Sequence, residues 1–589
     1  MQFSIGKLIV FIIIGFCAAF IYKKITNKYP KKYRVFKSRN HYRINGNNRT
    51  QRYNHYKLPE NIDHIIIGSG ISGLSCAAAL AKNGKVCLVL EKHDIVGGSI
   101  HVFNKNGVEF DTGLHYVGEK DQINETLNFL GDNDIEWNKL GENNNGIFDT
   151  FHFGDKIYHT VSGKDKYYKS LSNTFPNEKN IIKRYLDDIQ RITKGYRLFF
   201  TVKAVQNRFI RWILRKTLLQ KYFKLARMST YDFVSSYTQN KELVEVLCAL
   251  SIDSGPPPRK QSAFVHIGIA NHFLEGAYYP KGGSQIITES LIRTIEKSGG
   301  RVFTQVEVIS INTNADKIRS ITVRYGNNQK DILCNSVISS VGIPNTYRNL
   351  LHNNHKTFDR YMNDVTSNVT YFFVYVCLNG TKDELGLKDG NIWTWPNTSC
   401  DEVVSKFEED PMNNDPVVFI ASSSSKDDEL WQKKYPGKSV VEVISWATKN
   451  MFSNIDDGSS DNRSNPEYNK KKELFQNKLL EYLYRFYPKT KDKIESVFSS
   501  TPSTVKHYLN SYNGEVYGMD ANLNKFDDYP EVRPKTSING LWLTGQDLVS
   551  AGFLGSLMSG VLTANCVEGY GDIFDLITGR NLIDDLKKL

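Results

Sequence analysis

Two short apolar runs, each followed by a cluster of glycines, stand near the two ends of the chain. In the first, His64–Ile67 reads as a buried parallel strand, since it carries no alternating polar face. It passes at once into Gly68-Ser69-Gly70-Ile71-Ser72-Gly73 and a small-residue helical run, Leu74–Ala81, which Asn83-Gly84 ends. Lys85–Leu90 reads as a second strand, with Glu91 at its end. In the second, Gly540–Gly545 reads as a short strand leading to Gln546-Asp547, and Gly552-Phe553-Leu554-Gly555-Ser556 opens a helix, Leu557–Val567. Between these ends, Asn368–Leu378, Pro416–Ser422 and Ser439–Trp446 read as strands of a second sheet joined by polar loops. Ser262–Phe273, Ile286–Lys297 and Glu473–Phe486 read as helices, and Val302–Ile311 as one strand. Asp456–Lys472 reads as an exposed insertion.

The first run has the order and spacing of a βαβ unit that holds a dinucleotide. Gly68 permits the turn from strand to helix. Gly70, lacking a Cβ, lets a pyrophosphate approach the backbone, and Gly73 lets helix and strand pack closely. The helix N-terminus offers free N–H groups to the phosphates. Glu91 accepts hydrogen bonds from ribose hydroxyls. A bare Gly-x-Gly-x-x-Gly is weak evidence, but strand, helix, second strand and acid all stand at the expected spacing. The second glycine corner repeats the arrangement and offers another helix N-terminus to an anion.

At the N-terminus Leu8–Tyr22 is an uninterrupted apolar run, short for a spanning helix. It reads as an uncleaved membrane anchor or, with Cys17-Ala18-Ala19, as a cleaved signal; the basic residues after it favour the anchor. Residues 1–57 carry thirteen Lys or Arg and no acid, so the net charge of +12 leaves the rest of the chain at −1. The body is therefore close to neutral, which argues against nucleic acid as a partner. Lys23–Leu58 reads as a basic linker. Gln190–Tyr231 has eleven Lys or Arg, no acid, and interleaved Phe, Trp and Leu. This pattern suits a helix at a membrane surface and equally a basic helix packed on the body. The eight cysteines show no metal-type spacing and read as free thiols.

Candidate chemistry sits in two loops. Gly107–Gly118 reads as a strand entering a glycine-rich loop with Asp111, His115 and Tyr116. His115 is either next to the cofactor or a satisfied loop histidine. Glu275–Gln285 carries a tyrosine pair, and His272 and Tyr278 are candidates to line a substrate channel.

Segments 111–118, 271–283, 336–347, 422–439 and 540–560, with the glycine fingerprint, resemble the flavoprotein family of the retinol saturases (all-trans-retinol 13,14-reductases), carotenoid isomerases and phytoene desaturases. The resemblance covers roughly residues 60–570, and the longer segments point to the saturase branch. It implies an α/β fold: an FAD/NAD(P)-binding Rossmann-like domain of the glutathione reductase type, with a second α+β substrate domain built from insertions. The FAD domain would comprise 59–120, 299–350 and 501–570, the substrate domain 121–298 and 351–500. Residues 1–22 would be the anchor or signal, 23–58 the linker and 571–589 a tail. The FAD contacts it implies are Gly68, Ser69, Gly70, Ser72, Gly73, Glu91, Lys92, Gly97, Gly98, Ser99, Val308, Gly545, Asp547, Leu554 and Gly555. It further implies NADPH or NADH as electron donor, a lipophilic isoprenoid substrate and the endoplasmic reticulum membrane. The reaction expected is saturation of a C=C bond of a retinoid-like polyene, with carotenoid isomerisation or desaturation, or a flavin-containing scaffold, as alternatives. His115, Tyr116 and Tyr278 are the candidate proton donors or hydroxyl binders. Only one complete dinucleotide fingerprint is present, so no dedicated nicotinamide site is visible.

Overall fold

The computed structural model describes residues 51–569, apart from 133, 353–355, 367–368, 449–450 and 453–464. The run Leu8–Tyr22, most of the basic linker and the tail lie outside the described residues, and no helix within them is long and apolar enough to cross a membrane.

Two sheets carry the fold. The first is parallel throughout, with strands in the order Gln51–Arg52, Arg301–Thr304, Cys87–Leu90, His64–Ile67, Val337–Ser339 and Leu541–Leu543. Both of its faces are covered, and the period of two in the strands decides which side chain goes where. Ile66, Val89, Val302 and Ile338 pack with Leu74, Ala77, Leu557 and Ile287, which lie on the helices Ile71–Lys82, Gly552–Glu568 and Gln285–Lys297. Ile65, Ile67, Leu88 and Leu90 face the other way, onto Ile311, Ile321 and Val323 of a three-stranded antiparallel sheet, Glu307–Asn314, Lys317–Tyr325 and Asn328–Leu333. The helices Ile71–Lys82 and Gly552–Glu568 cross almost backbone to backbone: a Cβ at Gly560 would lie 1.9 Å from Ser75 Oγ and 2.4 Å from Ser72 O. That crossing brings the two ends of the sequence together.

The second sheet has seven strands in the order Ile494–Ser500, Thr370–Asn379, Lys438–Ala447, Val418–Ala421, Asn391–Trp395, Ile147–Phe153 and Lys156–Val161. All neighbours are antiparallel except Asn391–Trp395 with Ile147–Phe153. Phe372, Val374, Val441 and Val443 face the helix Pro466–Phe486. Phe373, Tyr375, Trp393, Phe419 and Trp446 face the opposite way, toward the helices Lys179–Thr193 and Ala263–His272. Burying one such side chain contributes about 1.5–3 kcal/mol, so this aromatic face anchors the second lobe.

Four local expectations need correction. Val302–Ile311 is two strands in two different sheets, because Gln305 takes φ 57 between them. The linker is ordered at its end, where Gln51–Arg52 pairs at the edge of the parallel sheet. The helix expected at Glu473–Phe486 begins at Pro466, capped by Asn465 Oδ1, inside the stretch read as an insertion. Gln190–Tyr231 is several short helices instead of one, and part of its apolar surface, Phe199, Leu219 and Tyr222 included, is buried in the body, while Phe209 and Trp212 are exposed. The seven described cysteines are free thiols.

Candidate active site

The first glycine corner is held open on one side and closed on the other. A Cβ at Gly70 would meet no atom within 4 Å, whereas one at Gly73 would lie 2.4 Å from Gly68 O. Gly70 caps the helix Ile71–Lys82 without any side-chain hydrogen bond, and its first turn carries no acid. Its N–H groups are thus left for an anion. Gly97 N donates to Ser69 O at 3.1 Å and to Ser69 Oγ at 3.2 Å, which seats Gly97-Gly98 against the corner. Glu91 is buried there; its Oε2 accepts from Ser69 N (3.0 Å) and Ser69 Oγ (2.6 Å), and its Oε1 from His93 N (2.9 Å). The second corner is similar: Ala551 caps Gly552–Glu568 without a side-chain hydrogen bond.

Both corners open on one cavity of about 900 Å³. Gly68, Ser69, Gly70, Ser72, Glu91, Lys92, Gly98, Ser99, Val308, Gly545 and Asp547 line it. Gly73 and Gly97 stand behind its wall. Leu554 and Gly555 are not part of it; they line a second cavity instead. Asp547 is also a tether, since its oxygens accept from Met519 N at 2.8 Å and Ile343 N at 3.0 Å. It thereby ties the second corner to two loops distant in sequence.

The second cavity, about 820 Å³, meets the first at Gly113, Leu114, Phe373, Tyr517, Gly552 and Phe553. Its walls are largely aromatic. Tyr116 stacks on Phe273 with centroids 4.7 Å apart, and Trp393 lies 4.5 Å from Phe419. Exposed Asp121, Gln122, Glu125 and Lys194 form the mouth, between the helices Lys120–Leu130 and Lys179–Thr193.

His115 and Tyr116 line this cavity and Tyr278 does not. Tyr278 is half-buried in the strand Tyr278–Pro280, with the ammonium groups of Lys120 and Lys139 over its ring. Alternation within this strand turns Tyr279 inward in its place: its hydroxyl donates to Asp111 Oδ2 at 2.7 Å. His272 lines the cavity, held by Gly118 N donating to its Nε2 at 2.8 Å and by Glu119 at 3.2 Å from its Nδ1. Burial and the Lys426 charge push the His115 imidazole down to about 3, so it is neutral. Its Nε2 has no hydrogen-bond partner among the described residues. Burial and the nearby Asp149 charge push the Tyr116 hydroxyl far up, and it donates to Asp149 Oδ2 at 3.3 Å.

A buried polar seam runs behind these residues. Lys426 is 4% exposed and donates from Nζ to His115 O at 2.8 Å. Asp111, Asp149 and Glu442 surround it, all buried. Burial raises Asp111 to about 6 and Asp149 to about 7. It pushes Glu442 up and Lys426 down, each partly held by the opposite charge of the other. Of its members only Asp111 stands out in the sequence, because Ser422-Ser423-Ser424-Ser425-Lys426-Asp427 has the composition of a solvated loop. Its serines turn inward: Ser422 Oγ and Ser424 Oγ both donate to Val440 O, which aims Lys426 into the core.

Residues 71–567 match the family of flavin containing amine oxidoreductases. The chain belongs to that family. It is 35% identical over 531 residues to the all-trans-retinol 13,14-reductase of Danio rerio, across 87% of this chain and 86% of the relative. It is 24% identical over 469 residues to the 1-hydroxycarotenoid 3,4-desaturase of Flavobacterium sp. (strain P99-3), across 78% of this chain and 89% of the relative. Among solved structures, a redesigned putrescine oxidase superposes with a TM-score of 0.55 at 15% identity, across 88% of this chain and 99% of its own. This likeness establishes a shared fold. The first cavity fits the flavin dinucleotide of this family: it joins an open Gly70, two uncapped helix N-termini and a buried acid at the end of a strand.

Proposed function

We propose that this flavoprotein saturates a C=C bond of a retinoid-like polyene, of the all-trans-retinol to 13,14-dihydroretinol type, with electrons from NADPH or NADH. The observation that carries this reading is the junction of a dinucleotide-shaped cavity with an aromatic-walled one at Gly113–Leu114. The bound flavin supplies the two-electron transfer to the double bond.

The chain does the rest. Gly68, Ser69, Gly70, Ser72, Gly98 and Ser99 would hold the pyrophosphate side, with Gly73 and Gly97 setting the backbone behind them. Glu91 with Lys92 and Val308 would hold the adenosine side. Gly545 and Asp547, with Gly552 and Phe553, would border the ring, where the N-terminus of Gly552–Glu568 stabilises negative charge; Leu554 and Gly555 face the second cavity. Phe273, Trp393 and Phe419 enclose the polyene and exclude water, each buried methylene contributing about 0.8 kcal/mol. Tyr116 would give up its hydroxyl proton to the carbon beside the reduced one when Asp149, raised to about 7, carries a proton and donates it to the Tyr116 oxygen in place of accepting from it. Neutral His115 abuts the same wall, and Tyr278 has no part in this scheme.

The substrate would come from a membrane. The helix Arg208–Lys216 exposes Phe209 and Trp212, 66% and 56% accessible with rings stacked at 6.1 Å, and Arg208, Arg215 and Lys216 lie on the same helix. Such a helix suits the interface of an anionic bilayer, consistent with placement at the endoplasmic reticulum. Lys194 and Arg197, on the same basic stretch, border the cavity.

Incubating the purified holoprotein with NADPH and all-trans-retinol tests the reading. A product two hydrogens heavier, with one NADPH consumed per product, is expected. The carotenoid relative motivates a second reading, isomerisation or desaturation of a carotenoid. That reading predicts unchanged mass or loss of hydrogen, with no consumption of NADPH.

A further inference from the structure

The inner part of the second cavity holds two polar side chains that the protein leaves uncommitted. Asp253 lies in the turn Ala249–Ser254 and lines the cavity. Tyr517 lines it at the junction with the flavin cavity. Among the described residues, neither the Asp253 carboxylate nor the Tyr517 hydroxyl makes a hydrogen bond to the protein. Their neighbours are already engaged. Tyr371 donates to Ile252 O at 2.8 Å, and Tyr116 donates to Asp149. The Tyr371 ring meets the Tyr517 ring edge-on at 6.0 Å and 87°, which fixes where Tyr517 points.

A lone carboxylate facing an aromatic cavity is costly unless a ligand completes it. Asp253 has only acceptor atoms when ionised, and Tyr517 offers one donor. Burial raises Asp253 to about 6, with the His272 charge opposing, so it is ionised at neutral pH. Burial and Asp253 together push the Tyr517 hydroxyl up, so it keeps its proton. The complement is one atom that both donates and accepts, which is an alcohol oxygen. A hydrocarbon end leaves both groups unpaired. A carboxylate end meets Asp253 as a like charge, and an ammonium end has no lone pair for Tyr517.

We propose that Asp253 and Tyr517 form a headgroup subsite for the hydroxyl of an isoprenoid alcohol, Asp253 accepting its O–H and Tyr517 donating to its oxygen. This inference rests on the reading that the cavity takes a retinoid-like polyene. The alcohol enters head first, its apolar tail lies toward the mouth, and the double bonds nearest the hydroxyl come to the flavin junction.

The test is a binding titration on the flavin-loaded protein. All-trans-retinol, followed by its fluorescence, is compared with the hydrocarbon of the same skeleton lacking the hydroxyl. The wild type is expected to bind the alcohol roughly ten- to a hundredfold more tightly than the hydrocarbon. Asp253→Leu should abolish this preference without weakening the hydrocarbon, and Tyr517→Phe should reduce it about tenfold or less. Flavin content checks that each variant is folded. Should Asp253→Leu lose flavin, Asp253→Asn serves instead, with a preference cut about tenfold because a neutral acceptor remains. An alcohol preference unchanged in the Asp253 variants overturns the subsite. If the wild type shows the preference yet leaves retinol unreduced, the reductase reading fails and the subsite stands. If Asp253→Leu reduces retinol with an unchanged KM, the subsite fails and the reductase reading stands.

Discussion

The two cavities are built in opposite ways. At the heart of the flavin cavity stand two compact glycine corners, in which each glycine answers to one local demand: a turn, an approach or a packing contact. The aromatic cavity takes its walls from the loop 113–119, the helix Ala263–His272, four strands of the second sheet and the loop 516–517, among other segments. None of these segments carries a motif by itself. A cofactor shared by many proteins is held by backbone geometry, which the chain encodes locally. A particular substrate is held by side chains that converge from distant segments, and only the completed fold brings them together.

Removing the buried ammonium breaks the second region hardest. Lys426→Met leaves Asp111, Asp149 and Glu442 without a cation at their centre. A loss of about 3–5 kcal/mol is expected, read by denaturant unfolding.

The glycine pair sharpens the comparison from the other side. Gly73→Ala forces a Cβ onto Gly68 O and should cost about 1–3 kcal/mol in the apoprotein, with flavin lost as well. Gly70→Ala meets no protein atom, so the apoprotein should melt as the wild type does while FAD affinity falls. Thermal melts of the apoproteins and FAD titrations separate the two.

Tyr116→Phe acts only on the reaction. Turnover of polyene should fall about 10²–10⁴-fold, with the reduction of bound flavin by NADPH unchanged in stopped-flow traces. A rate equal to that of the wild type removes Tyr116 as proton donor.

The smallest effect is on pH dependence. Asp111 and Asp149 are raised, so the folded protein holds protons that the unfolded chain has released. Their contribution is full below about pH 4 and is lost as pH rises through about 6 and 7. His115 is lowered and acts oppositely: its contribution is present above about pH 6.5 and is lost as pH falls toward about 3. Asp149→Asn should flatten the alkaline fall in unfolding free energy and leave the acid limb unchanged.

Much of the parallel core was legible, because its strands are buried on both faces and its turns need glycine. The strands at 370–379, 418–421 and 438–447 were legible too, as apolar runs between polar loops. Convergence was not legible. Whether Tyr278 or Tyr279 points inward depends on the register of a three-residue strand paired with Trp137–Lys139. Lys426 looks solvated until four serines are seen to satisfy their own surroundings. Asp253 stands just before Gly255-Pro256-Pro257-Pro258, which reads only as the end of a helical or strand element, and the fold alone turns it toward the cavity.

The most direct test is anaerobic spectroscopy of the purified protein. The account predicts one bound FAD per chain, bleached by NADPH and restored when all-trans-retinol is added in the absence of oxygen. A colourless protein that takes up no FAD, or a reduced flavin that only oxygen restores, would contradict it.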